Sequence, residues 1–399
     1  MPRAERSGPA IKIDVVVVGG GLQGLLLLDE LSAAGRSCVL VSTTDLGHGQ
    51  TLHSHGLLNT GFGFAGPRLR EIRDRLVLPF LRSHRIPTYG SWFLLSPDEV
   101  DVGEAVGPRD LPDGFDAGGV FVRRVPELNF PKRTLIETLA RDHMDRIVRG
   151  NLVELSGARD VQSVKVRTVG AGKTLTLAPA AVILATGTGT KRLAGSLVGA
   201  TGQLATIRHR RVHIICVRGP VGSLPEASVL STAGGFNLVA HADGVSRTWY
   251  STPFQDDDPS FDDVPDDAQS PVDSGVVIGG LQRLEKLFPE IAGTPELRFA
   301  AYAGYRQDVG DVAGTPLCEM LQGMSNVVVA LPSLVVNAWS NAKTVAGIVD
   351  GLAVRRTPQP EIPGAGVGVR VAPLREDAAD IRWRTWRQLQ NGEPPSALS

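Results

Sequence analysis

Cysteine and net charge are what this chain has least of. Three cysteines, Cys38, Cys216 and Cys318, are scattered through 399 residues. Their spacing offers neither a disulfide framework nor a metal-binding pattern, so a reducing, cytoplasmic setting and no metal site are expected. The net charge of −1 argues against a general polyanion binder, and no nucleic-acid partner is expected. No run reaches the roughly 18 apolar residues of a membrane span. Residues 1–10 are polar and lack the apolar core of about 7–15 residues that marks a secretory signal. What remains is an ordinary globular mixture, 42% hydrophobic and 21% charged. The length suffices for a large core and predicts two domains.

Residues 14–63 organise the rest. Val15, Val16, Val17 and Val18 form the short apolar run of a central parallel strand. Gly19-Gly20-Gly21-Leu22-Gln23-Gly24 follows at once and carries G-x-G-x-x-G in Gly19, Gly21 and Gly24. The first glycine permits the tight turn, the second lets a pyrophosphate approach the backbone, and the third packs helix on strand. Leu22 and Gln23 open a helix whose N-terminus offers N–H groups and a positive dipole end to phosphates. Leu25, Leu26, Leu27 and Leu28 are apolar on every side, so the helix is buried, and residues 38–41 read as a second strand. Together they predict a dinucleotide site. An acidic residue usually ends that second strand and holds the ribose hydroxyls. Here the position is Ser42, followed by Thr43, which leaves a phosphorylated ribose, as in NADP, open.

The loop beyond, Gly47-His48-Gly49-Gln50-Thr51-Leu52-His53-Ser54-His55-Gly56-Leu57, resembles the flavin loop of the D-amino-acid oxidase-like (DAO) family of FAD oxidoreductases. The match is closest to the dimethylglycine dehydrogenase branch, whose G-S-T-W-H-A-A-G-L aligns with residues 49–57 without a gap. The resemblance implies FAD, with Gly49, Gln50, Thr51, His53, Ser54 and His55 near it. In that branch the histidine matching His53 carries FAD covalently. Two readings stay open, covalent attachment through His53 and a histidine packed beside a non-covalent flavin.

The resemblance covers residues 11–353. Ala181-Val182-Ile183-Leu184-Ala185-Thr186-Gly187 is similar to the family's second FAD signature, a buried strand ending in A-T-G, and Val153 stands where the family passes a strand by the adenine. Residues 297–307 match the return strand to the FAD domain. It implies Arg306 as a carboxylate clamp, since guanidinium binds carboxylate through two parallel hydrogen bonds. Tyr302 and Tyr305 are candidate wall groups and His55 a candidate base. The last glycine-rich loop departs from the family. Residues 330–339 read ALPSLVVNAW, which puts the close backbone approach of Ser333, Asn337, Ala338 and Trp339 to the flavin in question. The aspartate-rich run at 256–273 lacks EF-hand order and reads as a solvated loop or inserted lid.

The expectation is therefore an α/β chain, a Rossmann-like FAD-binding domain with a mixed β-sheet substrate domain. The first would comprise residues 11–88, 132–205 and 299–354, the second 89–131 and 206–298, with a C-terminal tail at 355–399. A short amphipathic helix at 381–389 would dock on the body or a partner. The implied activity is oxidation of a C–N bond in a small amine or amino-acid-like molecule by hydride transfer, with oxygen or an electron carrier as acceptor. The alternatives are C–O oxidation of a 2-hydroxy acid or polyol, and a flavin-binding subunit without its own small substrate.

Overall fold

Two large sheets, of seven and nine strands, organise the chain. The computed structural model describes residues 9–58, 67–170, 172–198, 202–254, 260–261, 272–310, 314–352 and 356–391. Most of the aspartate-rich run and residues 59–63 of the first motif's loop lie outside them. At the centre of the first sheet is Ile11–Val18, flanked in parallel by Cys38–Ser42 and Thr174–Leu184. Residues 15–18 are buried on both faces, each contributing roughly 1.5–3 kcal/mol relative to an exposed position. Ile147–Ser156 continues the parallel order beyond Cys38–Ser42, and Val327–Leu331 continues it beyond Thr174–Leu184. Leu317–Met320 closes that edge antiparallel. The far halves of Ile147–Ser156 and Thr174–Leu184 both pair antiparallel with Ser163–Thr168 as a three-stranded meander. Helices Leu22–Ala33, Lys132–Asp142 and Asn337–Gly351 cover one face with a leucine- and valine-rich core.

The second sheet is mixed. Trp92–Ser96 runs parallel to Ser228–Ser231, and its other described pairings are antiparallel. Helix Ser274–Leu287 packs on one face and starts at Asp273, whose Oδ1 accepts from the amides of Gly275 and Val276. A continuous helical run, Pro67–Ile72, Arg73–Val77 and Leu78–Ser83, forms without a break at Pro79. Residues Arg73–Val77 widen to a π turn just before it, which absorbs the amide that proline lacks.

One expected boundary moves. Arg298–Val309, placed by the sequence at the start of the third FAD-domain piece, belongs to the second sheet. It pairs with Ile207–Pro220 from Ile207↔Val309 to Arg218↔Arg298. Two long neighbouring strands satisfy each other's backbone groups, which a lone strand at the rim of the first sheet would not. Only Ile207 and Val309 join the core of the first domain.

The C-terminal tail is bound along both domains. Asp14 Oδ1, at the start of the central strand, accepts from the Thr357 amide at 3.0 Å and Thr357 Oγ1 at 2.7 Å, and Asp14 Oδ2 accepts from the Ser37 amide at 3.1 Å. Gln359 Oε1 accepts from the Cys38 amide at 2.9 Å. Leu46 and Val371 then form a bridge, and Arg384 bridges Phe299 in the second sheet. Of the helix expected at 381–389 only Trp386–Gln390 is helical, with a Thr385–Gln388 capping box. The preceding residues stay extended because Arg384 exchanges backbone hydrogen bonds with Phe299.

Asp14→Ala removes the acceptor of two amides and one hydroxyl at a buried site and is expected to destabilise the fold by about 2–4 kcal/mol. Urea unfolding checks this; a loss below about 0.5 kcal/mol would show that the tail is not anchored there.

Candidate active site

A cleft opens where parallel strand ends meet two helix N-termini. It is lined by Val18, Gly19, Ser42, Ala185 and Leu331, each at or just past a strand end. The Gly19 amide donates to Val41 O at 2.9 Å and the Ala185 amide to Val18 O at 2.8 Å. Gly19 has φ of +123°, and a Cβ on it would lie 2.2 Å from the Ala185 carbonyl oxygen. A Cβ on Gly24 would lie 1.9 Å from Gly19 O, and one on Gly20 would lie 2.3 Å from Ser42 Oγ. Contact, as well as turn geometry, demands glycine here. Gly20 was missed because the motif treats its position as free.

Gly21, the N-cap of Leu22–Ala33, makes no side-chain cap and the first turn holds no acidic residue, so the helix's positive end faces the cleft with no opposing charge. Thr51 Oγ1 accepts from the Leu22 amide at 3.1 Å. Gln23 Nε2 donates to Ala338 O at 3.3 Å, linking the two helix starts, while its Oε1 is buried without a partner. These features fit a dinucleotide, because the glycine cradle admits a diphosphate and the helix N-terminus favours an anion. The second helix, Asn337–Gly351, also starts without a side-chain cap or an acidic first turn. The loop before it holds none of the glycines that the sequence resemblance led one to expect, yet the backbone still turns. Ser333 takes φ of +55°, and its hydroxyl donates to Thr315 O at 2.6 Å, while Asn337 Nδ2 donates to Gly314 O and Pro332 O.

Gly19, Gly21, Leu22, Gln23, Ser42, Thr43, Gly49, Gln50, Thr51, Ala185, Thr186, Gly187, Ser333 and Ala338 line this one cleft. Gly24 stands behind it as a packing contact. His48, Phe130 and Gln307 were not foreseen; they also line it, and Gln307 Nε2 donates to Gly187 O at 2.5 Å. Only the G-H-G spacing hinted at His48.

Other candidates sit elsewhere. Val153 is half exposed on a bulge of the meander, because the strand passes the cleft at Arg149, opposite Ser42. Trp339 turns from the cleft and packs edge-on to Phe80 at 5.8 Å. Asn337 supports the loop and is not part of the cleft lining. Tyr302 is fully buried, and its hydroxyl donates to His53 O at 3.2 Å, so it holds the loop and forms no substrate wall. Tyr305 falls on the opposite strand face from Tyr302. Arg306 is already engaged, its Nη2 donating to Asp308 Oδ2 at 3.0 Å, with Arg210 Nε 3.4 Å from the same oxygen.

His53, Ser54 and His55 lie outside the lining because the chain leaves the cleft after Thr51 and passes between the two sheets. His53 meets His48 and Tyr302 edge-on at 5.6 and 6.2 Å. Burial, then His48, Arg375 and Lys132, pushes its pKa down to about 3. Burial, then Lys132 and Arg306, pushes His55 to about 4, and its Nδ1 is buried without a partner. Tyr89 OH donates to His241 Nδ1 at 2.6 Å, and His241 Nε2 donates to His55 O at 2.7 Å, which fixes the His241 tautomer. Among the described residues no cluster is placed to hold a metal ion, and no helix is long and apolar enough to cross a membrane.

No family model matches the chain. It is 41% identical over 56 residues to a probable FAD-dependent oxidoreductase of Pseudomonas aeruginosa, PA4991, a segment covering 14% of each chain. It is 33% identical over 91 residues, 22% of this chain and 16% of the relative, to the anaerobic glycerol-3-phosphate dehydrogenase subunit A1 of Haloferax volcanii. These matches thus span only about a seventh of the curated relatives' lengths. Likeness in three dimensions extends much further. The crystal structure of PA4991 superposes with a TM-score of 0.70 at 22% identity, covering 92% of this chain and 98% of that one. Glycine oxidase from Geobacillus kaustophilus gives 0.66 at 18%, covering 90% and 99%. The chain therefore has the two-sheet α/β fold of FAD-dependent oxidoreductases.

Three partly exposed histidines beside the cleft, their rings desolvated by packing, give the site a pH signature. Unfolded, they titrate near 6.5; folded, His53, His55 and His241 stay neutral to about 3, 4 and 3. The unfolded state therefore takes up protons first, and stability present above pH 6.5 is lost as pH falls toward those values. The melting temperature is expected to fall between about pH 7.5 and about pH 5. Replacing His241 by Asn is expected to flatten that dependence; a flat profile in the wild type contradicts the neutral state of these histidines.

Proposed function

We propose that this chain is an FAD-dependent oxidoreductase that oxidises a C–N bond of a small amine or amino-acid-like substrate. The observation that carries the reading is the single cleft that gathers both dinucleotide signatures, the Gly49–Gln50–Thr51 turn and a second helix N-terminus. The fold shared with glycine oxidase, whose name states its substrate, supports the C–N choice. Gly19, Gly20 and Gly21 would admit the diphosphate, Ser42 and Thr43 the adenosine ribose, and Ser333 to Ala338 the flavin edge. Bound there, FAD supplies the hydride acceptor.

The protein's part is placement, proton handling and charge. Arg306 orients a substrate carboxylate with the guanidinium donors that Asp308 leaves open. His55, neutral and with one ring nitrogen unpartnered, is the candidate to accept a hydrogen bond from a substrate amine bound in its neutral form. The nitrogen lone pair would then make the C=N bond of an iminium cation as hydride passes to the bound flavin, and water would hydrolyse the iminium to a carbonyl compound and an ammonium ion. The Asn337–Gly351 dipole favours the negative charge that arrives in the cleft. Covalent attachment through His53 belongs to the same proposal. Its neutral imidazole lies in the one-turn helix Gln50–His53, whose first residues line the cleft. C–O oxidation is the second reading, favoured by the glycerol-3-phosphate dehydrogenase segment.

Purified protein is expected to show flavin absorbance that amino acids or secondary amines bleach under anaerobic conditions. Bleaching by 2-hydroxy acids or polyols alone selects the second reading, and no bleaching by either panel contradicts both. Arg306→Lys is expected to raise KM for carboxylate substrates by roughly tenfold or more, with a smaller change in kcat, matching a lost charged hydrogen bond. Colour held in the acid pellet of wild type and lost in His53→Ala supports the covalent link; wild-type colour released to the acid supernatant rules it out.

A further inference from the structure

The chain between the two sheets is held by its carbonyls. Lys132 Nζ donates to Leu52 O at 3.1 Å and to Ser54 O, Tyr302 OH donates to His53 O, and His241 Nε2 donates to His55 O. Four successive carbonyls thus take side-chain donors from remote elements. Leu52 and His53 end the helix Gln50–His53, whose last carbonyls lack helical partners, and a cation there also suits the helix dipole. Gly56 lets the donors come close, since a Cβ on it would lie 2.9 Å from His241 Cε1 and 3.1 Å from Lys132 Cγ.

That cation is buried. Lys132 is 4% exposed and its Nζ lies 4.7 Å from the centre of the Tyr250 ring. A buried ammonium is costly unless an opposite charge accompanies it. Glu376 supplies one from the C-terminal segment. It is 1% exposed, accepts from Tyr250 OH, and keeps Oε2 buried without a partner. Burial lowers the pKa of Lys132, and Glu376 is the strongest opposing charge. Arg218, 3.9 Å from Glu376, stacks on Trp383 and makes a half-exposed ion pair with Asp377 at 3.0 Å.

We propose that Glu376 is a positioning residue for the flavin loop, acting through Tyr250 and Lys132 on residues 52–55, and that the C-terminal segment is thereby part of the redox site. The inference rests on the reading of the cleft as an FAD site.

The test uses the full-length protein as wild type, Glu376→Gln, Lys132→Met and the double variant. Two quantities are read, amide hydrogen exchange at residues 49–56 and the FAD dissociation constant. Each single variant is expected to speed loop exchange and raise Kd by about tenfold. The double variant should be no worse than Lys132→Met, because Glu376 acts through the lysine. Asp377→Asn, which removes the neighbouring acid that Arg218 holds, should leave both readouts within about twofold of wild type. If Glu376→Gln does not fold, Tyr250→Phe breaks the same contact and is read the same way. Loop exchange in Glu376→Gln within twofold of wild type overturns the inference, as do fully additive effects in the double variant. A wild type that binds no FAD sinks the cleft reading instead, and the exchange data still decide this one.

Discussion

The close approach of three backbones at the cleft is the constraint on which the rest depends. Gly19 lies against the Ala185 carbonyl, Gly24 against the Gly19 carbonyl, and Gly20 against Ser42, with no space for a Cβ at any of them. Because the contacts of Gly19 and Gly24 are backbone to backbone, they fix the buried helix Leu22–Ala33 on its strand and aim its first turn at the cleft. Gln23 extends the arrangement to Ala338, so the second helix start is registered to the first. Backbone amides at two helix starts can receive an anion without a charged side chain, and among the described residues the cleft lining holds no Lys, Arg, Asp or Glu.

The other half of the site is built between the sheets. After Thr51 the chain leaves the cleft and passes under the second sheet, where Lys132, Tyr302 and His241 take its carbonyls. These donors come from a helix of the first domain and two strands of the second, and Glu376 adds the C-terminal tail. The loop is thus where the two domains and the tail meet. The tail, anchored at Asp14 and bridged at Leu46 and Phe299, crosses both domains to reach it.

The sequence disclosed what local pattern determines. The glycine motif, the A-T-G turn and the loop at residues 49–51 each carry their geometry in adjacent residues, and all three converge on one cleft. What it disclosed poorly depended on pairing at a distance. The strand Arg298–Val309 has the same apolar alternation whichever sheet it joins, and only its partner Ile207–Pro220 decides. Tyr302 and Arg306 share a strand face by alternation, but their actual partners, a loop carbonyl and Asp308, are not written in spacing. Ser333 shows the reverse, a serine adopting the left-handed turn that sequence reasoning reserved for glycine. Of the tail only a docking helix at 381–389 was expected, because its Pro/Gly-rich composition hides single contacts such as those of Thr357 and Glu376.

The central claim is that the glycine-lined cleft is an FAD site. The most direct measurement is calorimetric titration of flavin-free protein with FAD, FMN and NADP in parallel. The account predicts saturable binding of one equivalent of FAD, much weaker FMN, which lacks the adenosine half, and no competition from NADP. Tight NADP binding with no uptake of FAD would contradict it, and would mean that Ser42 and Thr43 receive a phosphorylated ribose.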